Sequence, residues 1–83
     1  MNRVERGYLT EQTRALGLTV TPSMANFILA DVPMPAGDFF QRLLREGVIV
    51  RPLGPYPNSL RVSVSTREDN DRFLEGTKRV LGK

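Results

Sequence analysis

The sequence predicts an α/β (α+β) two-layer sandwich, in which helices cover one face of a three-stranded, mostly antiparallel sheet. Three observations support this fold class. Apolar residues recur at helical spacing in three segments, they alternate with polar residues in others, and prolines and glycines separate these segments. The predicted order is α-β-α-β-β-α, and 83 residues are enough for one small domain with a single core.

The first two predicted elements are a helix over 2–16 and a strand over 25–32. The helix has an incomplete apolar stripe that includes Val4 and Leu9, and Gly17 follows it as the expected C-terminal glycine. Residues 25–32 are almost continuously apolar and are bounded by prolines. Such a run is typical of a strand buried on both faces, which predicts a central or covered position in the sheet.

Two further helices are predicted, over 35–46 and 67–81. The first has a proline in its opening turn, a glycine after its end and an apolar stripe between them. For the second, Thr66 is the expected N-cap. Asp69 stands at its third helical position, where an acidic residue completes a capping box and favours the positive end of the helix dipole.

The remaining strands, predicted over 48–53 and 60–65, are joined by a short loop and should pair as an antiparallel hairpin. Side chains in a strand point alternately to the two faces of the sheet, and the valines of each of these strands stand at every second residue, on one face. Arg51 and Arg61 fall on the opposite face. If the valine faces pack against the helices, both arginines emerge together on the open face of the sheet.

Two arginines on one sheet face have two interpretations, and the pattern alone leaves both open. Guanidinium groups bind a carboxylate or phosphate through paired, charge-assisted hydrogen bonds. Alternatively, both side chains are ordinary solvated residues. Arg51 and Arg61 are the strongest candidate site residues, because capping explains the carboxylates at the start of the last helix (Glu68, Asp69, Asp71).

The composition excludes several kinds of site. The chain has no cysteine and no histidine, so we expect no disulfide, no thiolate chemistry and no metal site. The formal net charge is only +3, with cations and anions interspersed, which does not indicate a polyanionic partner. Because no apolar run approaches the length of a membrane span, we expect no membrane partner and a cytoplasmic location.

Two segments of the chain carry a resemblance to a known family. They are "LGLTVTPSMANFILADV" and "GVIVRPLGPYPNSLRVSVSTREDNDRFLEGTKRVL". They resemble the C-terminal small domain of the fold-type I pyridoxal-phosphate-dependent aminotransferases, nearest to the histidinol-phosphate aminotransferase branch. The resemblance implies that residues 1–83 form one such domain of a transferase in histidine biosynthesis.

The resemblance also implies roles for the two arginines. In the family pattern the position of Arg61 binds the substrate carboxylate. Arg51 matches the position that, in the histidinol-phosphate branch, helps to bind the phosphate end. Ser65 is a departure, because the family has glycine there. Since Ser65 shares the alternating set of Arg61, we expect its side chain to project towards the anion site.

The resemblance implies a cofactor, pyridoxal 5′-phosphate, that this chain does not bind by itself. In the family, the lysine that bears the cofactor belongs to a large domain that these 83 residues do not include. Lys78 and Lys83 stand at an exposed helix end and are poor substitutes for it. We therefore expect no catalytic or cofactor-binding residue here, and an isolated chain that is a monomer without turnover. The full-length enzyme should be a homodimer that contains the large domain.

Two other functions remain open on the residues alone. Arginines on an open sheet face would suit RNA binding, but such sheets stack bases on aromatic rings. The polar positions of the hairpin strands carry Ile49, Ser63 and Ser65 and no ring, so we expect no nucleic-acid partner. A regulatory or protein-interaction module of split βαβ type is permitted by the topology, although no particular residue supports it.

Overall fold

The computed structural model describes residues 3–22 and 26–83. The elements in chain order are α1 (Arg3–Ala15), β1 (Thr19–Pro22), β2 (Phe27–Asp31), α2 (Ala36–Arg45), β3 (Arg51–Pro52), β4 (Ser59–Ser63) and α3 (Arg67–Leu81). The sheet has the order β1-β2-β4-β3, and each pair of neighbouring strands is antiparallel. The predicted α+β class is confirmed, with four strands where the sequence predicted three.

The helices lie on one face of the sheet, as predicted. Leu9 of α1, Phe39 of α2 and Phe73 of α3 belong to the same buried cluster. Strand β4 contributes alternate residues to this cluster and leaves the residues between them exposed. Because each helix buries its apolar stripe against the same sheet face, the opposite face carries no helix within the described residues.

The strand β1 was not predicted. Thr19–Pro22 pairs with residues 28–31, so that Thr19 lies opposite Asp31. Only Val20 of this strand is buried. A single buried apolar residue does not produce the alternating pattern by which a strand is recognised in sequence. Pro22 was interpreted as a boundary, yet proline is tolerated in a strand at the edge of a sheet.

The expected burial of strand 25–32 on both faces is wrong. Ile28 and Ala30 are fully buried under the helices, whereas Phe27 and Leu29 are half-buried on the other face. The strand lies between β1 and β4, which is the central one of the two positions, central or covered, that its apolar run allowed. Residue 25, at the start of the predicted strand, lies outside the described residues.

The hairpin forms as predicted, but its first strand is short. The ladder contains only Arg51 and Pro52 of the predicted strand over 48–53. Val48 lies outside the ladder, and its backbone N–H donates instead to the carbonyl of Leu43 at 2.9 Å. This bond completes the helix-ending motif around Gly47, whose φ of +80° favours glycine.

The third helix begins where the capping pattern predicts. Thr66 is its N-cap, and its hydroxyl oxygen accepts a hydrogen bond from the backbone N–H of Asp69 at 3.2 Å. The helix ends at Gly82, which has a φ of +78°. Since α3 follows β4 almost immediately, the start of this helix is held close to the strand that carries Arg61.

The inner face of α1 differs from the predicted stripe. Val4 is 71% exposed, whereas Glu5, Leu9 and Thr13 are buried. These three residues follow one another at intervals of four, which is a helical face, but two of them are polar. The apolar pattern could not predict an inner face that is partly polar.

Candidate functional site

Arg51 and Arg61 lie directly opposite one another on β3 and β4. Both side chains are exposed, while Leu60 and Val62 on either side of Arg61 are buried. Residues directly opposite on adjacent strands have Cβ atoms about 4.5–5.5 Å apart. The two guanidinium groups can therefore reach the same ligand, on the open face that the alternation predicts.

The arginine pair belongs to a row that crosses all four strands. Thr21 pairs with Leu29, Leu29 pairs with Arg61, and Arg61 pairs with Arg51. The row runs from a hydroxyl through an apolar side chain to two cations. A ligand on this part of the sheet meets positive charge at one end and a small polar group at the other.

Arg61 lies over the ring of Phe27, with its Cζ atom 5.2 Å from the ring centroid. This distance is within the range of a cation–π interaction. Sequence reasoning missed Phe27, because it placed the whole strand 25–32 in the core. The open face therefore carries an aromatic ring, which the sequence had given no reason to expect there.

The described residues contain two ion pairs, Arg67–Glu5 and Arg79–Glu46, and neither involves the arginines of the open face. Like charges that lie directly opposite on adjacent strands destabilise each other. An anion between Arg51 and Arg61 would relieve this repulsion. Each charge-assisted hydrogen bond to such an anion contributes about 1.5–3 kcal/mol.

Ser65 does not direct its hydroxyl towards the arginines, contrary to expectation. The β4 ladder ends at Ser63, and the Ser65 hydroxyl donates to Oδ2 of Asp69 at 3.1 Å. Among the described residues no residue other than glycine has a positive φ. Serine is therefore accommodated without backbone strain at the position where the family pattern has glycine.

Asn70 holds the backbone of Ser65 from the start of α3. Its Oδ1 accepts from the Ser65 N–H at 3.0 Å, and its Nδ2 donates to the Ser65 carbonyl at 3.1 Å. The same Nδ2 donates to Oε1 of Glu5 at 2.9 Å. The side chain is 1% exposed and was not predicted as a functional residue. Its position three residues before Phe73, on the inner face of α3, is the signal that could have identified it.

Glu5 joins α1 to this arrangement. Its carboxylate accepts from Nη2 of Arg67 at 2.8 Å and from Nε at 3.0 Å, in addition to Asn70. The hydrogen bond from Arg67 lowers the pKa of Glu5 below its ordinary value, although burial acts in the opposite direction. The same hydrogen bond raises the pKa of Arg67. Both groups are therefore charged over the physiological range.

Tyr8 extends the contact between α1 and α3. The Arg67 guanidinium lies over its ring, 3.7 Å from the centroid, and the Tyr8 hydroxyl donates to the carboxylate of Asp71. This hydrogen bond, with burial, raises the pKa of Tyr8 above its ordinary value. The start of α3 is thus fixed to α1 by a continuous polar cluster.

A cavity of about 290 Å³ opens where residues 48–50 separate from the end of β4. Its walls include Ile49, Ser63, Asp69 and Arg72. Neither arginine of the open face lines it. The arginine pair therefore lies outside this cavity, although Arg51 borders a separate groove with Phe40 and Pro52.

The described residues contain no cluster that could hold a metal ion, and both lysines of the chain lie on or after α3. Within residues 3–22 and 26–83, no three His, Cys, Asp or Glu side chains are placed to hold a metal ion. Lys78 borders a groove between α1 and α3, and Lys83 follows α3, both exposed and away from the open sheet face. These positions do not fit a lysine that carries pyridoxal phosphate. No helix in this part of the chain is long and apolar enough to cross a membrane.

An antiparallel sheet with helices on one face and an arginine pair on the other is the arrangement that the alternation of the strands predicted. The family model described as aminotransferase class I and II matches residues 3–76. The chain belongs to this family, which confirms the resemblance.

Curated relatives of the chain point to one branch of the family. A histidinol-phosphate aminotransferase of Nitratidesulfovibrio vulgaris strain Hildenborough is 49% identical over 78 residues, which cover 92% of this chain and 21% of that protein. Another, from Symbiobacterium thermophilum, is 46% identical over 84 residues and is covered to 23% of its length. The chain thus spans about a fifth of the length of these relatives.

Solved structures share the fold. The histidinol-phosphate aminotransferase of Clostridium acetobutylicum matches 96% of this chain with a TM-score of 0.86 at 23% identity, and 26% of its own chain is covered. A decarboxylase from Sulfurospirillum multivorans matches 93% of this chain with a TM-score of 0.82 at 29% identity, over 24% of its own length. The same domain architecture therefore occurs in proteins named for different reactions.

Proposed function

We propose that this chain is the substrate-binding small domain of a pyridoxal-phosphate-dependent aminotransferase that acts on histidinol phosphate. Membership of the family and relatives named histidinol-phosphate aminotransferase support the reaction class. The observation that carries the proposal is the cross-strand pair of Arg51 and Arg61 on the open sheet face. Arg61 binds the substrate carboxylate, and Arg51 contributes to the binding of the phosphate.

The direct opposition of the two arginines suits the chemistry of both substrates. Histidinol phosphate carries its phosphate on the carbon next to the amine-bearing carbon and has no carboxylate. An amino-acid partner has its carboxylate in the corresponding place. One location can therefore serve both anions. Arg61 supplies paired donors to the planar carboxylate, and Arg51 adds the second positive charge that a phosphate dianion favours.

The contribution of this chain to the reaction is positioning. Pyridoxal phosphate, bound by the remainder of the enzyme, supplies the electron sink of transamination. Arg61 lies in the interior of a strand that is paired on both sides, so its backbone is fixed. An anion held at one end of the substrate restricts the orientation of the reacting carbon, which lowers the entropic part of the barrier.

The chain needs partners for this role, since it lacks a fitting lysine and its arginines lie on an open face. A large cofactor-binding domain of the same polypeptide would cover the open face and exclude water from the substrate. A second copy of the full-length enzyme would complete the expected homodimer. The 83-residue chain alone should accordingly show no transamination with added pyridoxal phosphate, and a variant lacking Lys78 and Lys83 is the control for nonspecific adducts.

The test compares Arg61→Ala and Arg61→Lys with the unmodified full-length enzyme, with Arg42→Ala on the exposed face of α2 as the control. Loss of the charge-assisted bonds, on the order of 2–4 kcal/mol, should lower kcat/KM roughly 30- to 1000-fold in Arg61→Ala. The lysine variant should recover only part of the activity, because it lacks the planar two-donor fork. The melting temperature should stay unchanged. Near-normal activity, or a melting temperature that collapses with activity, would show that Arg61 is structural.

Arg51 is tested by the choice of substrate. In Arg51→Ala, KM for histidinol phosphate should rise more than KM for the amino-acid partner, since only the phosphate uses the second charge fully. Equal effects on both substrates would contradict the division of roles between the two arginines.

A further inference from the structure

Phe27 and Arg61 are diagonal neighbours on the open face. Phe27 lies opposite Ser63, and Arg61 lies opposite Leu29, two residues further along β2. Diagonal side chains on adjacent strands are within reach of each other when one is aromatic and the other long. The Cζ atom of Arg61 lies over the ring at 5.2 Å from its centroid.

The backbone of Phe27 is fixed in the sheet. The side chain is half-buried, and its backbone lies in the β2–β4 ladder. The residue before it is also fixed, because the carbonyl of Asn26 accepts from the Val64 N–H at 2.9 Å. The strand position that carries the ring is therefore fixed beneath a long and otherwise flexible side chain.

The contact of Arg61 with Phe27 differs from a second cation–π contact in the same chain. Arg67 also lies over an aromatic ring, that of Tyr8, but its guanidinium is neutralised by the carboxylate of Glu5. Arg61 forms neither of the ion pairs found among the described residues. An aromatic ring restrains a guanidinium through its face and accepts none of the conventional hydrogen bonds that an anion needs. Arg61 is thus oriented without losing its positive charge.

We propose that Phe27 is a positioning residue for Arg61, which holds the guanidinium in place for the anionic group of the substrate. This inference rests on the proposed role of Arg61 as the anion anchor. Without the ring, Arg61 keeps its charge but samples more orientations, so each substrate molecule must restrict the side chain when it binds. The consequence falls on substrate affinity and not on the chemical step.

The kinetic test uses the full-length enzyme with Phe27→Leu and Phe27→Trp. A cation–π contact at an exposed site corresponds to roughly a two- to fivefold change in affinity, so Phe27→Leu should raise KM for the amino-acid substrate by about that factor. Its kcat should stay the same. Phe27→Trp should restore KM, since tryptophan provides the strongest cation–π surface. Tyr8→Leu, which removes the other cation–π contact, is the matched control and should leave KM unchanged.

The spectroscopic test is independent of activity. In the 83-residue chain, the ring current of Phe27 should displace the Nε–Hε resonance of Arg61 from the position of a solvated arginine. The displacement should disappear in Phe27→Leu and persist in Phe27→Trp, and Leu29→Ala should retain it. If Phe27→Leu leaves the resonance unmoved, the ring does not hold Arg61 and the proposal is wrong.

The outcomes separate this inference from the proposed function. If Arg61→Ala raises KM and Phe27→Leu does not, the anchor stands and the positioning role fails. If Arg61→Ala itself has no effect, the proposed function fails, whatever the spectrum of Phe27→Leu shows. If leucine and tryptophan at position 27 raise KM equally, or if kcat or the melting temperature falls as KM rises, Phe27 is a packing residue and the inference is overturned.

Discussion

Asn70 and Ser65 are joined by two hydrogen bonds of opposite direction, one to the N–H and one to the carbonyl of the same residue. This is how a neighbouring strand would satisfy the backbone of Ser65. The side chain of Asn70 therefore replaces a strand at the point where the β4 ladder ends. Since it also donates to Glu5, one buried amide connects the sheet, α3 and α1.

Replacement of Asn70 should be costly for folding. Asn70→Ala removes the partner of the Ser65 N–H and carbonyl and one of the hydrogen bonds that Glu5 accepts, and we expect a loss of about 2–4 kcal/mol in the free energy of unfolding. Asn58→Ala is the control, because the side chain of Asn58 is exposed and donates to the Met34 carbonyl. The control should lose less than about 1 kcal/mol in urea denaturation. Equal losses in the two variants would mean that the buried amide of Asn70 contributes no more to stability than the exposed amide of Asn58.

The ion pair of Glu5 and Arg67 should make the free energy of unfolding decrease at low pH. Its partner lowers the pKa of Glu5 below the ordinary value of 4.5, so the folded state binds this proton less readily than the unfolded chain. The stabilisation is complete above the unfolded pKa and is lost as the pH falls through the folded pKa. Thermal melts from pH 7 to pH 2 should show this loss. In Glu5→Gln the melting temperature should be lower at pH 7 and should fall less on acidification.

The control for this experiment is Glu11→Gln, an exposed carboxylate on the same helix. It should follow the acid profile of the unmodified chain. Arg67, Asn70, Tyr8 and Asp71 surround Glu5 or lie one contact away, and they are unchanged in both variants. An unaltered profile in Glu5→Gln would show that the ion pair does not contribute to folding.

Ser65→Gly, which restores the glycine of the family pattern, should affect stability and not the anion site. The Ser65 hydroxyl is occupied by Asp69, and glycine adds freedom to the unfolded chain. We expect a loss of about 0.5–1 kcal/mol in the free energy of unfolding. KM for the amino-acid substrate of the full-length enzyme should stay within twofold. A larger change that Ser65→Ala reproduces would mean that the hydroxyl does reach the substrate.

Two helical glycines should respond oppositely to alanine. At Gly7 in α1 a Cβ atom meets nothing within 4 Å, so Gly7→Ala should gain about 1 kcal/mol from helix propensity. At Gly76 in α3 it would lie 3.3 Å from side-chain atoms of both Leu43 and Val48. We expect Gly76→Ala to lose about 1 kcal/mol, because overpacking exceeds the propensity gain. Chemical denaturation measures both, and equal gains would show that the contact between α2 and α3 is loose.

The sequence predicted those parts of the molecule that depend on alternation. The phases of the two hairpin strands placed Arg51 and Arg61 on one face because a period of two leaves only two choices. β1 was not predicted, since a strand with one buried residue has no measurable period. The burial of β2 was overestimated, because an apolar run does not reveal that one face meets helices and that the other face stays open.

The polar residues of the interior were the larger omission. Glu5 and Asn70 are buried because they satisfy each other and the backbone of Ser65. Neither residue suggests burial by its type, and the partners are 65 residues apart in the chain. Such a contact follows from the packing of α1 against α3, which no local pattern determines. Phe27 was missed for a related reason, since a phenylalanine that supports a cation looks the same in sequence as one in a core.

The two prolines in the sheet lie at its two outer strands, Pro22 in β1 and Pro52 in β3. A strand at the edge of a sheet offers free backbone groups on which another chain can polymerise. Proline has no N–H to donate and interrupts such a template. Because both borders are interrupted, the sheet resists growth by edge-to-edge aggregation. The sheet can then leave one face open without the domain becoming a seed for fibrils.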